Sequence, residues 1–254
     1  ASVITEECRN YLLNIEHILF HYKHIKIVNK PSSVIKQNSK TYLYSLLEEN
    51  NIENVPMFKK INTIDKIEHQ IEDINYYPVI LRKDLLFGGK CMTKCNNKLE
   101  LVNELNSIEN KDNLFIVQFL KSEYKNIQGV LLRVIVINNT IITYYLVNDP
   151  NSNWNVHTST GWDRNSFNIL NKDNEDLIDE SLFKRLVSIL GLGTYAFDCI
   201  IHNNKIIILE VNVKISLQTY LIREFNPDLN NFKLFRDDNT RSKLISDALI
   251  KDIL

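Results

Sequence analysis

Three oxygen-bearing side chains in one short stretch set the chemistry open to this sequence. Residues 195–217, YAFDCIIHNNKIIILEVNVKISL, read as two apolar strands around the polar residues His202-Asn203-Asn204, which favour a hairpin turn. The first strand carries Asp198 near its start. The second ends in Glu210-Val211-Asn212, and a period of two puts Glu210 and Asn212 on one face. If the strands pair antiparallel, Asp198 lies across from that end, so two carboxylates and an amide oxygen converge. Hard cations such as Mg²⁺ take such ligands and complete their shell from substrate phosphates. An ordinary hairpin with acids at its ends is the competing reading.

A fourth group lies upstream. Arg133 sits inside Leu131-Leu-Arg-Val-Ile-Val-Ile137, too apolar a strand to bury an unpaired guanidinium. It faces a polar cleft or a carboxylate, or else it snorkels to the surface. The strand forms a hairpin with residues 140–146 across Asn138-Asn139.

Other segments must position these groups. Residues 6–24 have helical periodicity, with His17, His21 and His24 near one side. A His pair at i, i+4 can bind zinc, but an exposed face is the plainer reading without an accompanying carboxylate motif. Residues 25–28 read as a short strand ended by Asn29-Lys30-Pro31. Ser39 can cap a helix through Leu47, ended by Asn50-Asn51. A helical stretch over 64–71, a strand over 77–82, a helix over 99–105 and a near-continuous apolar strand over 114–120 follow. Glu180–Leu190 is an amphipathic helix stopped by Gly191-Leu-Gly193, and the tail holds two helices, the last over 241–253.

Composition narrows the class. The chain has 254 residues, 44% hydrophobic and 24% charged, with net charge −1, which suits a globular protein of one large or two small domains. Near-neutral charge gives no argument for nucleic acid or an anionic membrane as partner. No apolar run reaches the ~20 residues of a membrane span, and the opening ASVITEECRN lacks the apolar core of a signal peptide. Cys8, Cys91, Cys95 and Cys199 are too scattered for a disulfide framework and form no zinc pattern. They read as reduced thiols in a cytoplasmic protein.

The run AFDCII…KIIILEVNVKIS resembles the closing hairpin of the ATP-grasp superfamily. Other matches follow in chain order and are most similar to carboxylate–amine ligases of the ribosomal-protein glutamate ligase and glutathione synthetase type. A bacterial branch with Arg in the Lys strand and a Trp-x-Val-His loop is nearest. The resemblance implies an α/β (α+β) fold of two subdomains clamping ATP between antiparallel sheets. It implies only a remnant of the usual preceding α/β domain over 1–30, with subdomains over 31–117 and 118–254.

The resemblance also assigns roles. Lys40 and Arg82, the latter where most members have Lys, would hold the ATP phosphates under a loop carrying Gly88 and Gly89. Gln118, Phe119 and Leu120 would form the adenine hinge, with Glu123 on the ribose. Arg133 would be catalytic and steady the transferred phosphoryl group. Asp198, Glu210 and Asn212 would hold Mg²⁺, with Mn²⁺ as a substitute. His157, in the aromatic and polar run 153–161, and Lys214 would meet substrate. The implied reaction is ADP-forming ligation of a carboxylate to an amine, small molecule or peptide. The same ATP site would serve a small-molecule kinase of the inositol-phosphate type, but residues 154–164 hold one basic residue, Arg164, besides His157. A non-catalytic ATP-binding domain is the third reading.

Overall fold

The computed structural model describes residues 6–22, 29–62, 67–85, 91–124, 127–137, 140–148, 167–168 and 179–213. The expected strand over 25–28, the Gly88-Gly89 loop, the Asn138-Asn139 turn, His157 and its loop, Lys214 and the tail helices lie outside these residues.

Two antiparallel sheets carry the architecture. The first has four strands in the order β1-β4-β2-β3: β1 (Phe58–Lys60), β2 (Val79–Lys83), β3 (Met92–Cys95) and β4 (Leu114–Gln118). Alternation sorts its faces. Val79, Leu81, Leu114 and Ile116 pack with Leu101 and Leu105 of helix α5 (Lys98–Ser107) and with Ile71 and Ile74. Ile80, Phe115 and Val117 turn to the other side, towards helix α3 (Lys40–Glu49). β1 and β3 were not expected from the sequence, since three- and four-residue strands are too short to show a period.

The second sheet has five strands, β11-β10-β7-β8-β9. β7 (Val130–Ile137) and β8 (Thr140–Asn148) form one hairpin, β9 is Phe167–Asn168, and β10 (Thr194–His202) with β11 (Lys205–Asn212) forms the other. Helix α6 (Glu180–Leu190) lays Phe183, Leu186 and Leu190 on the face made by Leu132, Val134, Tyr195, Phe197, Cys199, Ile206 and Ile208. Asp179 caps this helix by accepting from the Ser181 and Leu182 amides, and Gly191 ends it at φ 60°, a conformation that favours glycine. Asn203 and Asn204 both take positive φ, 49° and 59°, as a two-residue hairpin turn demands.

Near the N-terminus, α1 (Glu6–Phe20), α2 (Pro31–Gln37) and α3 pack in sequence. α2 begins with Pro31, whose fixed φ suits a first helical position. Glu16 of α1 accepts from the Ser32 amide and hydroxyl at 2.7 and 2.9 Å. Ser39 caps α3 by accepting from the Tyr42 amide at 3.0 Å, as its type and place predict. α4 is Ile67–Gln70. Helix α3 lies against β11, and Tyr44 donates to the Leu209 carbonyl at 2.7 Å.

Leu209 is the extra residue of a β-bulge. From the turn, His202 faces Lys205 and Cys199 faces Ile208, but Asp198 then faces Glu210. Losing the Tyr44 hydroxyl would leave a backbone carbonyl without that donor, so Tyr44→Phe is expected to destabilise the protein by about 1–2 kcal/mol in urea unfolding.

Candidate active site

The bulge gathers the site. Asp198 on β10 is opposite Arg133 on β7 and opposite Glu210 on β11, so three adjacent strands present one row of charged side chains. Arg133 makes a two-pronged ion pair with Asp198, Nε to Oδ1 at 2.6 Å and Nη2 to Oδ2 at 2.9 Å. Of the two sequence readings for this arginine, a carboxylate partner is the one observed. Asn212 donates from Nδ2 to Asp198 Oδ2 at 2.6 Å and to Glu210 Oε1 at 3.3 Å. Lys40 reaches in from the first turn of α3, its Nζ 3.1 Å from Glu210 Oε2. Its side chain is 3% exposed, and a buried ammonium of this kind requires a counter-charge.

The carboxylates differ electrostatically. Burial raises the Asp198 carboxyl, Arg133 offsets part of that, Glu210 opposite adds to it, and the group ends at about 6. Glu210 is also pushed up by burial, but Lys40 and then Arg82 outweigh this and hold it at about 2. A facing carboxylate pair splits in this way when one member is nearer the cations. The row therefore holds one firmly ionised acid beside one that a cation could deprotonate.

Arg82 supplies the remaining positive charge. It follows Leu81 on β2 with its guanidinium 5.6 Å from the centre of the Phe115 ring, its cross-strand neighbour. Its buried Nε has no hydrogen-bond acceptor among the described residues. An orphaned cationic donor beside Lys40 and Glu210 suits an anionic ligand such as phosphate. No three acidic, histidine or cysteine side chains come together among the described residues. A divalent cation here would then rest on Asp198, Glu210 and the Asn212 amide and share its shell with phosphates, the usual habit of Mg²⁺. The residues present fit that group.

The family described as the ATP-binding domain of the carbamoyl-phosphate synthase L chain matches residues 39–224. The chain belongs to the ATP-grasp family. Membership makes it an ATP-binding protein and places it among ATP-dependent enzymes. Solved structures agree on the fold. D-alanine–D-alanine ligase from Bacillus anthracis matches with a TM-score of 0.60 at 10% identity over 94% of this chain and 75% of its own. The same ligase complexed with ATP gives 0.59 at 10% identity, over 94% and 74%. A RimK domain ATP-grasp protein from Sphaerobacter thermophilus gives 0.60 at 15% identity, over 97% and 78%. No curated protein sequence matches.

In this ATP-grasp chain the expected hinge follows β4. The Gln118 amide donates to Met57 O at 2.8 Å and the Phe119 amide to Pro78 O at 3.0 Å, so both N–H groups at the strand's end are already committed. Lys94 of β3 lies over the Phe119 ring at 4.0 Å. Leu120 is half-buried and Glu123 is exposed, the latter in a two-residue strand, β5 (Glu123–Tyr124), paired with β6 (Ile127–Gln128). Ser122, and His202 beyond its expected place in the turn, stitch this segment to the β10–β11 hairpin. His202 Nδ1 lies 2.8 Å from Lys121 O, and Ser122 Oγ accepts from the Ile201 amide at 3.2 Å. Asn29 bridges further, accepting from the Gly193 and Thr194 amides at 2.8 Å each. Only its place before Lys30-Pro31 singled it out in the sequence. No helix among the described residues is long and apolar enough to cross a membrane.

Proposed function

We propose that the protein is an ATP-dependent, ADP-forming carboxylate–amine ligase working through an acyl phosphate. The observation that carries this is the row Arg133–Asp198–Glu210 across three strands, closed by Lys40 from α3. Lys40 and Arg82 would hold the phosphates, and Asp198, Glu210 and Asn212 would hold Mg²⁺ or Mn²⁺. When bound, that cation neutralises charge on the β- and γ-phosphates.

The substrate carboxylate attacks the γ-phosphorus, the bond to the bridging oxygen breaks, and ADP departs. Arg133, paired with Asp198, would turn to the charge gathering on the transferred group, a large source of catalysis in a dry site. An amine then attacks the acyl carbon, loses a proton and expels phosphate, leaving an amide or peptide bond. Arg133 and Lys40 serve as counter-charges for the carboxylates, a role that a bound cation would share. His157 and Lys214 are proposed to face substrate, with the two ATP-grasp subdomains over 31–117 and 118–254.

The test is ADP release with Mg²⁺ against panels of carboxylic acids and amines, with mass spectrometry of the product. Acid- and amine-dependent ADP release with a new amide supports the reading. A phosphorylated alcohol as the product, or no nucleotide binding at all, overturns it.

The proton balance gives a prediction of its own. Metal ligands must be deprotonated to bind, so Mg²⁺-dependent nucleotide affinity is expected to fall as pH drops through about 6, where Asp198 takes a proton. Without ligand the sign reverses. A carboxyl raised from 3.8 to about 6 contributes stability that is full below 3.8 and is lost as pH rises through about 6. Nucleotide titrations and melting curves across pH 4–8 (roughly the span where the two opposing trends would separate) check both.

A further inference from the structure

One buried carboxylate joins the two phosphate-facing cations, and the catalytic reading makes no use of it. Asp84, 8% exposed, follows β2 and sits against the start of α3. Its Oδ2 accepts from Ser39 Oγ at 2.6 Å and Thr41 Oγ1 at 2.7 Å. Its Oδ1 accepts from the amides of Lys40 at 2.8 Å and Leu85 at 3.0 Å. Its own amide donates to Asn113 O at 2.7 Å, which fixes the end of β2 to the segment entering β4.

These bonds exceed what a helix cap requires. Ser39 already caps α3 locally, and a carboxylate at a helix N-terminus adds only about 0.3–1 kcal/mol. Asp84 comes from 44 residues away and grips three consecutive residues of that turn. The middle one is Lys40, whose amide goes to Asp84 while its ammonium goes to Glu210. Arg82 lies two residues before Asp84 on the rigid strand. Asp84 thus ties the end of β2 to the start of the helix.

We propose that Asp84 is a positioning residue that fixes the spacing between Lys40 and Arg82 and so matches the two cations to the phosphates of ATP. The proposal rests on reading the cleft as the nucleotide site. Displacing a binding group by about 1 Å can cost as much as a hundredfold, and Asp84 holds the Lys40 amide itself.

Calorimetric titration of the full chain with a non-hydrolysable ATP analogue and Mg²⁺ tests it, with melting temperatures measured alongside. Asp84→Ala is expected to weaken binding roughly tenfold. Asp84→Asn should stay near wild type, since its oxygen can accept from both amides and its NH₂ can donate to both hydroxyls. Leu47→Ala hollows the fully buried side of the same helix and should lower the melting temperature while leaving affinity within about twofold.

Wild-type affinity in Asp84→Ala would overturn the proposal. So would a loss that Leu47→Ala reproduces, because Asp84 would then be acting through stability alone. Should Asp84→Ala not fold, Thr41→Val removes one arm of the grip, and unchanged affinity there would count against the proposal in the same way. Failure of the wild-type protein to bind the analogue would instead refute the nucleotide site, and this proposal with it.

Discussion

Glu210→Gln is expected to abolish metal-dependent ATP turnover, by on the order of a thousandfold or more. The substitution keeps the shape and removes the charge. Glu210 is the firmly ionised member of the pair, held at about 2 by Lys40 and Arg82 against its burial, so it offers a cation its most reliable anionic oxygen. Glutamine would leave the nearly inaccessible Lys40 ammonium facing a neutral amide, which should cost about 1–3 kcal/mol in denaturant unfolding. Turnover and the Mg²⁺-dependent thermal shift with an ATP analogue should disappear together, while the unliganded variant still melts cooperatively. Retained turnover would remove Glu210 from the metal assignment.

Arg133→Ala should act on a different quantity. The guanidinium would stabilise charge that develops as the phosphoryl group transfers, so kcat should drop by roughly a hundred- to a thousandfold with little change in KM for ATP. Arg133→Lys should recover little, because a point charge cannot reproduce a two-pronged pair. The pH dependence of nucleotide binding offers a second readout. Arg133 is the chief influence lowering the Asp198 carboxyl, so its removal should move the acid limb of binding to higher pH. An equal loss in kcat and in nucleotide affinity, without that displacement, would make Arg133 a ground-state binding group instead.

Local chemistry was legible wherever it was self-contained. Ser39 as a cap, Gly191 as a stop and Asn203-Asn204 as a tight turn each depend on one residue's own conformational or hydrogen-bonding habits. The apolar runs of β4, β7 and β10 are long enough to announce themselves. What escaped were the short strands β1 and β3, helix α2, and the long-range polar ties of Asp84, Tyr44, Asn29 and His202. An aspartate after Arg82-Lys83 looks like an ordinary turn residue, and nothing local says that it grips a helix 44 residues back.

The sequence by itself determined the inventory of the cleft: an acid in one strand, Glu-x-Asn closing its partner, an arginine too apolar in its setting to be idle, and an order that resembles ATP-grasp proteins. Tertiary structure decided whether those groups meet. Continued from the turn without interruption, the ladder would set Asp198 opposite Leu209 and Glu210 opposite Phe197, whose side faces the core. The bulge at Leu209 shifts the pairing by one residue, which in a strand of period two exchanges faces. It carries Glu210 and Asn212 away from the side of Ile206 and Ile208 and brings Glu210 level with Asp198. Tyr44 of α3, reaching the Leu209 carbonyl, supports that shift from outside the hairpin. Spacing along the chain placed Glu210 and Asn212 together, but only the packed helix and the broken register aim them at Arg133, Asp198 and Lys40.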